Sequence, residues 1–216
     1  MRRLITVLLL TSALVTAGSV AGGRADDASS VSARLDRAQR LFRTAELTTD
    51  SPLREATYKE AEQLAQQIVN SDSDNAQAHF LLFASRCRRL IAERGEPSLA
   101  NFWVYAAAHD HLTRALELDP YLPGALAARG GILVDLPTIL GGDRAAGRDL
   151  LQRAITLNPT GSGTRVTLAR ALLRDGERDA ARHQLLLAAH YACLKHQPAI
   201  LEQAEALLSQ LQTGRL

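Results

Sequence analysis

The chain has 216 residues, 46% of them hydrophobic but only 4% aromatic, with 25 basic and 23 acidic residues. That length holds one ordinary domain or one array of stacked units and leaves no room for two large domains. Ala and Leu carry most of the apolar content and β-branched residues are sparse, which favours close helix packing over sheet.

Residues 1–25 have the three-part layout of a secretory signal peptide: the basic "MRR", the apolar "LITVLLLTSALV" and the small "AGSVAGGRA". Cleavage is expected after Ala25, with Gly23 and Ala25 as the small residues before the cut and Ala21 as the second choice. The apolar run is shorter than the roughly 20 residues of a membrane span; an uncleaved amphipathic anchor is the alternative. Cleavage removes Arg2, Arg3 and Arg24 and no acid, leaving 22 of the 25 basic residues against 23 acidic ones. The mature protein is therefore near neutral, without a basic footprint for nucleic acid. No cysteine ends the leader, so no lipidated N-terminus is available, and a periplasmic or secreted product follows. Residues 26–32, "DDASSVS", are expected to be a flexible linker.

The spacing then predicts helices at 33–47, 53–70, 76–93, 98–118, 122–135, 143–157, 161–174, 177–191 and 197–212, with a short tail at 213–216. The breaks are "TTDSP", "NSDSDN", "RGEPS", "DPYLP", "PTILGGD", "NPTGSG", "RDGE" and "KHQP". No alternating strand pattern occurs, so the predicted class is all-α.

Self-similarity decides between a bundle and an array. Segments 111–133 and 150–173 each carry an amphipathic helix that closes on Leu, then Asp or Asn, then Pro, before a second helix opens. Ala108, Leu112, Ala115 and Pro120 mark one unit. Gly130, Gly147, Leu151, Ala154 and Pro159 mark the next. Leu168, Ala169, Leu172, Gly176, Ala181, Leu185 and Ala188 mark the last. A weaker unit carries Ala61, His79 and Leu82. On these residues the chain resembles tetratricopeptide repeat (TPR) proteins. The resemblance implies a right-handed solenoid of helical hairpins over residues 33–212, about four repeats plus a C-terminal capping helix. The aromatic positions of that pattern are mostly aliphatic here. Small residues three or four apart let the two helices of a hairpin approach closely while Leu fills the space between repeats.

The unit starts at Ala76, Pro123 and Ser162 are unevenly spaced. Only the final unit, closing near Lys195, has the regular length of about 34 residues. Extra residues in a solenoid emerge as loops, often at the binding edge. The first insertion holds Phe102, Trp103 and Tyr105, three of nine aromatic residues. They suit either a groove for a partner or a covering for the neighbouring helix. With Arg129 they would form a pocket for a small organic anion.

The second insertion, "LPTILGGDRAAG" at 136–147, breaks the helical pattern. Pro137 stops one helix, Gly141 and Gly142 admit backbone angles other residues resist, and Asp143 stands where an N-cap belongs. Ile139 and Leu140 are expected to pack down beneath the loop or to contact a partner. Pro137, the apolar pair, "GGD" and "LLQRAITLNP" together resemble the T component of tripartite ATP-independent periplasmic (TRAP) transporters. That narrower likeness spans roughly residues 105–190 and implies an accessory to envelope solute uptake.

Catalytic and metal chemistry is not indicated. His109 and His111, two apart, point away from each other on a helix; His183 and His190 share a face without a third ligand. Neither HExxH nor CxxC occurs, and "GGDRAAG" lacks the lysine and preceding strand of a phosphate loop. "TGSGT" at 160–164 reads as a loop whose Thr160 or Ser162 caps the next helix. Cys87 and Cys193 read as two buried thiols, with a bridge as the alternative. No cofactor or metal is expected. The function these readings support is an exported non-enzymatic scaffold for a protein partner, with an oligomer compatible. A periplasmic module for a small organic ligand is the alternative, and an enzyme with a diffuse site the third reading.

Overall fold

A computed structural model describes the backbone of residues 20–95 and 102–213, and the side chains of 30–95, 105, 106 and 108–213. Among the described residues every regular element is helical: α1 (Val20–Leu47), α2 (Ser51–Ser71), α3 (Ala76–Arg94), α4 (Phe102–Leu118), α5 (Pro123–Asp135), a 3₁₀ turn (Thr138–Leu140), α6 (Arg144–Leu157), α7 (Ser162–Arg174), α8 (Arg178–Leu194) and α9 (Pro198–Gln212).

Local chemistry sets most of these limits. Asp50 accepts from the Leu53 amide (2.9 Å) and Asn75 from that of Ala78 (3.0 Å), so two N-termini are satisfied by side chains. Pro123 and Pro198 each open a helix, where the missing N–H costs nothing. Gly176 takes φ +80° in the tight turn between α7 and α8, a conformation a Cβ would strain. The expected linker at 26–32 is instead helical and continuous with α1. Most of the expected leader, residues 1–19, lies outside the described residues. The 160–164 segment also departs from expectation: Gly161 is the N-cap and makes no side-chain cap bond. Thr160 bonds Asn158 and Lys195, and Ser162 donates to Gln197, so both hydroxyls serve neighbouring turns.

Helices pair in chain order as hairpins α1/α2, α3/α4, α5/α6 and α7/α8, and α9 covers α8. First helices of successive hairpins also touch, α1 on α3, α5 on α7 and α7 on α9. The fold is thus an all-α TPR-type hairpin solenoid of four repeats with a capping helix. Small residues make the close approaches. A Cβ at Gly124 would lie 2.5 Å from the Phe80 ring, and one at Gly130 would lie 2.8 Å from the carbonyl oxygen of Gly147. The repeat positions Ala108, Leu112, Ala115, Leu151, Ala154, Leu168, Ala169, Leu172, Ala181, Leu185 and Ala188 are all buried. The core is mainly aliphatic, with Ile68, Leu82, Val134 and Val166 buried alongside them and Tyr58, Phe83 and Tyr105 as its aromatic members.

Three apolar clusters run along the array. One joins α1, α2 and α3 around Leu82; a second joins α3, α4 and α5 around Leu112; the third fills the space among α5 to α9 around Leu151 and Leu185. Charge reinforces the N-terminal hairpins, where Glu62 takes Arg86 (2.8 Å) and Arg89 (2.7 Å). Burial pushes the Glu62 carboxyl up, but the two guanidinium groups outweigh it and hold the carboxyl below its usual range. Cys87 and Cys193 are unbridged. Cys87 is partly covered and burial raises its thiol to about 11, whereas Cys193 is exposed, which corrects its reading as a core thiol.

Candidate functional site

The α5–α6 connection is built from the inside of its hairpin outward. Leu136 closes α5 through its amide to the Ile132 carbonyl (3.0 Å), and Pro137 prevents another turn. Residues 138–140 wind into one 3₁₀ turn, with the Leu140 amide donating to Pro137 (2.9 Å) and the Gly141 amide to Thr138 (3.0 Å). Gly141 then reverses the chain at φ +87°, ψ 14°. Gly142 donates to Pro137 (3.1 Å) and passes so close to α5 that a Cβ there would stand 1.9 Å from the Leu136 carbonyl oxygen. Asp143 completes the clasp: its amide donates to Leu133 (3.0 Å), and its carboxylate accepts from Ala146 (3.0 Å) as the N-cap of α6. The amides of Leu136, Leu140, Gly141, Gly142 and Asp143 are therefore satisfied within the hairpin, which fixes the course of the turn without a partner.

Ile139 stands on this clasp at 91% exposure, while Leu140 is half-buried. Of the two alternatives for this pair, packing down is not the one Ile139 takes. The 3₁₀ turn that hydrogen-bonds the Leu140 and Gly141 amides leaves this side chain facing outward. The other exposed large apolar side chains are less exposed, from 44% at Leu157 on α6 to 66% at Tyr121 in the turn before α5. An isoleucine presented by a fixed backbone loses little further freedom when covered, which is what a contact residue needs.

Ion pairs brace the base of the loop. Arg174 of α7 donates to the Val134 carbonyl (2.8 Å) and the Asp135 carboxylate (2.7 Å), at the end of α5. Arg144 and Arg148 of α6 both reach Asp175 (2.9 Å each), and Arg148 also pairs with Glu177 (2.7 Å). The Arg144 hydrogen bond, followed by that of Arg148, holds the Asp175 carboxyl below its usual range despite some desolvation. Both sides of the protruding turn are thus tied to the following repeat.

The first insertion is placed differently. Tyr105 is buried at 9% exposure, and its hydroxyl donates to the Gly95 carbonyl, so it covers its neighbour and does not line a groove. The side chains of Phe102 and Trp103 lie outside the described residues. Arg129 of α5 donates to His109 Nε2 on α4 and borders a shallow open groove of about 260 Å³ with Thr113, Leu116 and Glu117. A second open groove, about 300 Å³, lies between α7 and α9 against Arg170, Leu173, Arg174 and Leu207. Both are open surfaces rather than the enclosing clefts that small-molecule sites require.

As expected, His109 and His111 diverge. His109 meets Arg129 on α5, whereas His111 Nδ1 lies 3.1 Å from His79 Nδ1 on α3. No group of three or more metal-ligating side chains forms among the described residues. Arg165 sits at 6% exposure inside the α7/α8 hairpin, donating to the Pro159 carbonyl and to Gln184 (2.7 Å) beneath the Tyr191 ring. The His79–His111 pair and buried Arg165 escaped sequence reasoning, because each joins residues whose proximity depends on helix packing.

No family model matches the chain, and no curated protein matches it. Among solved structures, the chain is similar to one titled "MamA RS-1 ArsTM double mutant", with a TM-score of 0.43 and 12% identity, covering 84% of this chain and 96% of that one. A superposition that loose carries no argument, so the architecture rests on the helix pairing and the buried repeat positions. No helix among the described residues is long and apolar enough to cross a membrane.

Proposed function

We propose that the chain is an exported, non-enzymatic scaffold that binds another protein, with the α5–α6 loop as a principal contact. The observation that carries this reading is Ile139, almost wholly exposed on a loop whose backbone is closed by its own hydrogen bonds. A single exposed apolar residue is ordinary on a protein surface; what favours Ile139 as a contact is its presentation at 91% exposure on a hydrogen-bonded turn, where covering it costs little further ordering. The layout of residues 1–25 supports export. The T-component resemblance over residues 105–190 supports an accessory role in solute uptake, in which the partner is another uptake component.

Capture from envelope extracts tests the contact. The full chain, Ile139→Ser and a deletion of residues 137–142 are immobilised at equal density after circular dichroism confirms equal helicity. A partner held by the full chain and lost from both variants is the expected result; an unchanged capture profile removes the loop from the interface. The chromosomal neighbours test the finer role, since an uptake accessory is expected beside transporter genes. Tyr105 and Arg129 are both committed to partners within the fold, which disfavours a small-ligand pocket built from them.

A further inference from the structure

We propose that His109 is an acid-responsive latch between the two halves of the array, holding α4 to α5 when neutral and releasing it when protonated. Among the described residues α4 and α5 share far less surface than the two helices within either flanking hairpin. Their junction relies on the apolar cluster around Leu112 and Ala125 and on the Arg129–His109 hydrogen bond.

The polarity of that bond is forced. A guanidinium has donors only and keeps its charge, so Nε2 of His109 must offer a lone pair. The ring proton then sits on Nδ1, 3.5 Å from the Thr113 hydroxyl on the same helix. A second proton has only Nε2 to occupy. It turns the acceptor into a donor and sets two cations at hydrogen-bond distance. Burial, and then the Arg129 charge, both lower the pKa of His109, while Asp110 on α4 opposes them.

His111 on the same helix does not behave this way. His79 Nε2 lies 3.1 Å from the Ser73 carbonyl and must donate to it, so His79 Nδ1 accepts and His111 Nδ1 donates. Protonation of His111 at Nε2 leaves that bond in place. Arg86, which faces His111 from α3, is already paired with Glu62. Arg114 on α4 pairs with Asp74 and Glu117. Glu117 borders the same groove as Arg129 and offers the released guanidinium another acceptor. A second proton on His79 would have only Nδ1 to occupy and would remove the acceptor of the His111 bond, so the α3–α4 contact is not spared by its geometry, and the response of α5 is the one that isolates His109.

Amide hydrogen exchange of the full chain at about pH 7.5 and in steps down to about pH 4.5, well below the ordinary imidazole pKa because that of His109 is lowered, tests the latch. After correction for intrinsic rates, peptides from α4 and α5 are expected to exchange several-fold faster in acid while those from α7 and α8 hold steady. His109→Gln, which accepts through Oε1 and does not titrate, and Arg129→Gln are expected to abolish the response, and His111→Gln to retain it. An equal acid response in His109→Gln, or none in the parent chain, overturns the proposal. Should the variants misfold, the parent decides by imidazole resonances. Titration of His109 without a matching change in α5 resonances overturns it equally.

Discussion

Replacing Gly130 by Ala isolates the packing that defines the repeat. The added Cβ would stand 2.8 Å from the Gly147 carbonyl oxygen and 2.9 Å from Leu151 Cγ, with the Leu151 amide nitrogen at 3.1 Å. Two of these neighbours are backbone atoms of α6, so no rotamer change relieves the contact and the helices must separate. Overpacking of this kind costs about 1–3 kcal/mol, and obstruction by backbone puts this site in the upper part of that range. Better helix propensity returns about 0.5–1 kcal/mol, leaving a net loss of about 1–2 kcal/mol. For a domain of this size that is about 2–8 °C in Tm. Gly131, one residue on, supplies the control, because a Cβ there meets only Thr167 Cγ2 at 3.6 Å, an ordinary contact. Gly131→Ala is therefore expected to gain about 0.5–1 kcal/mol. Thermal and urea unfolding followed at 222 nm measure both. If Gly130→Ala is as stable as Gly131→Ala, the close α5–α6 crossing is wrong.

Ala188 is fully buried in the α7/α8 hairpin, so Ala188→Leu is expected to lose about 1–3 kcal/mol by urea titration. Asp143→Ala removes the N-cap of α6 and should cost about 1 kcal/mol, with faster amide exchange at Ala146 than in the parent. His109 and His111 both have folded pKa values below the ordinary 6.5. The unfolded chain therefore takes up their protons first, and stability is full above about pH 6.5 and falls as pH drops through that value. Glu62 is depressed in the carboxylate sense, so its contribution is present above the unfolded value of about 4.3 and is lost below it. Two separate descents in unfolding free energy against pH are expected, and replacing both histidines by Gln should remove the upper one alone.

What sequence could convey here was local. Pro137, Gly141 and Asp143 act within a few residues of themselves, and each does in the fold what its backbone chemistry dictates. The repeat positions were legible for a related reason: helical spacing of Ala and Leu leaves one face able to pack closely, and those residues are buried. Ile139 was harder to place, since an apolar residue in a loop satisfies the same pattern whether it turns in or out. Only the 3₁₀ turn and the approach of Gly142 to Leu136 determine the direction. Tyr105 shows the converse, an aromatic near a loop whose hydroxyl finds a carbonyl ten residues away and so belongs to the interior. The His79–His111 and His109–Arg129 bonds span 32 and 20 residues. No periodicity within a helix reports contacts set by how two helices cross.

Ile139 is the proposed point of contact with a protein partner. A photo-cross-linking amino acid placed at position 139 of the full chain, irradiated in intact cells, tests it directly, with the exposed Gln152 position of α6 as the comparison. A discrete adduct formed from position 139 and absent from position 152 is the predicted result. No adduct from position 139, or equal labelling from both positions, would contradict the account.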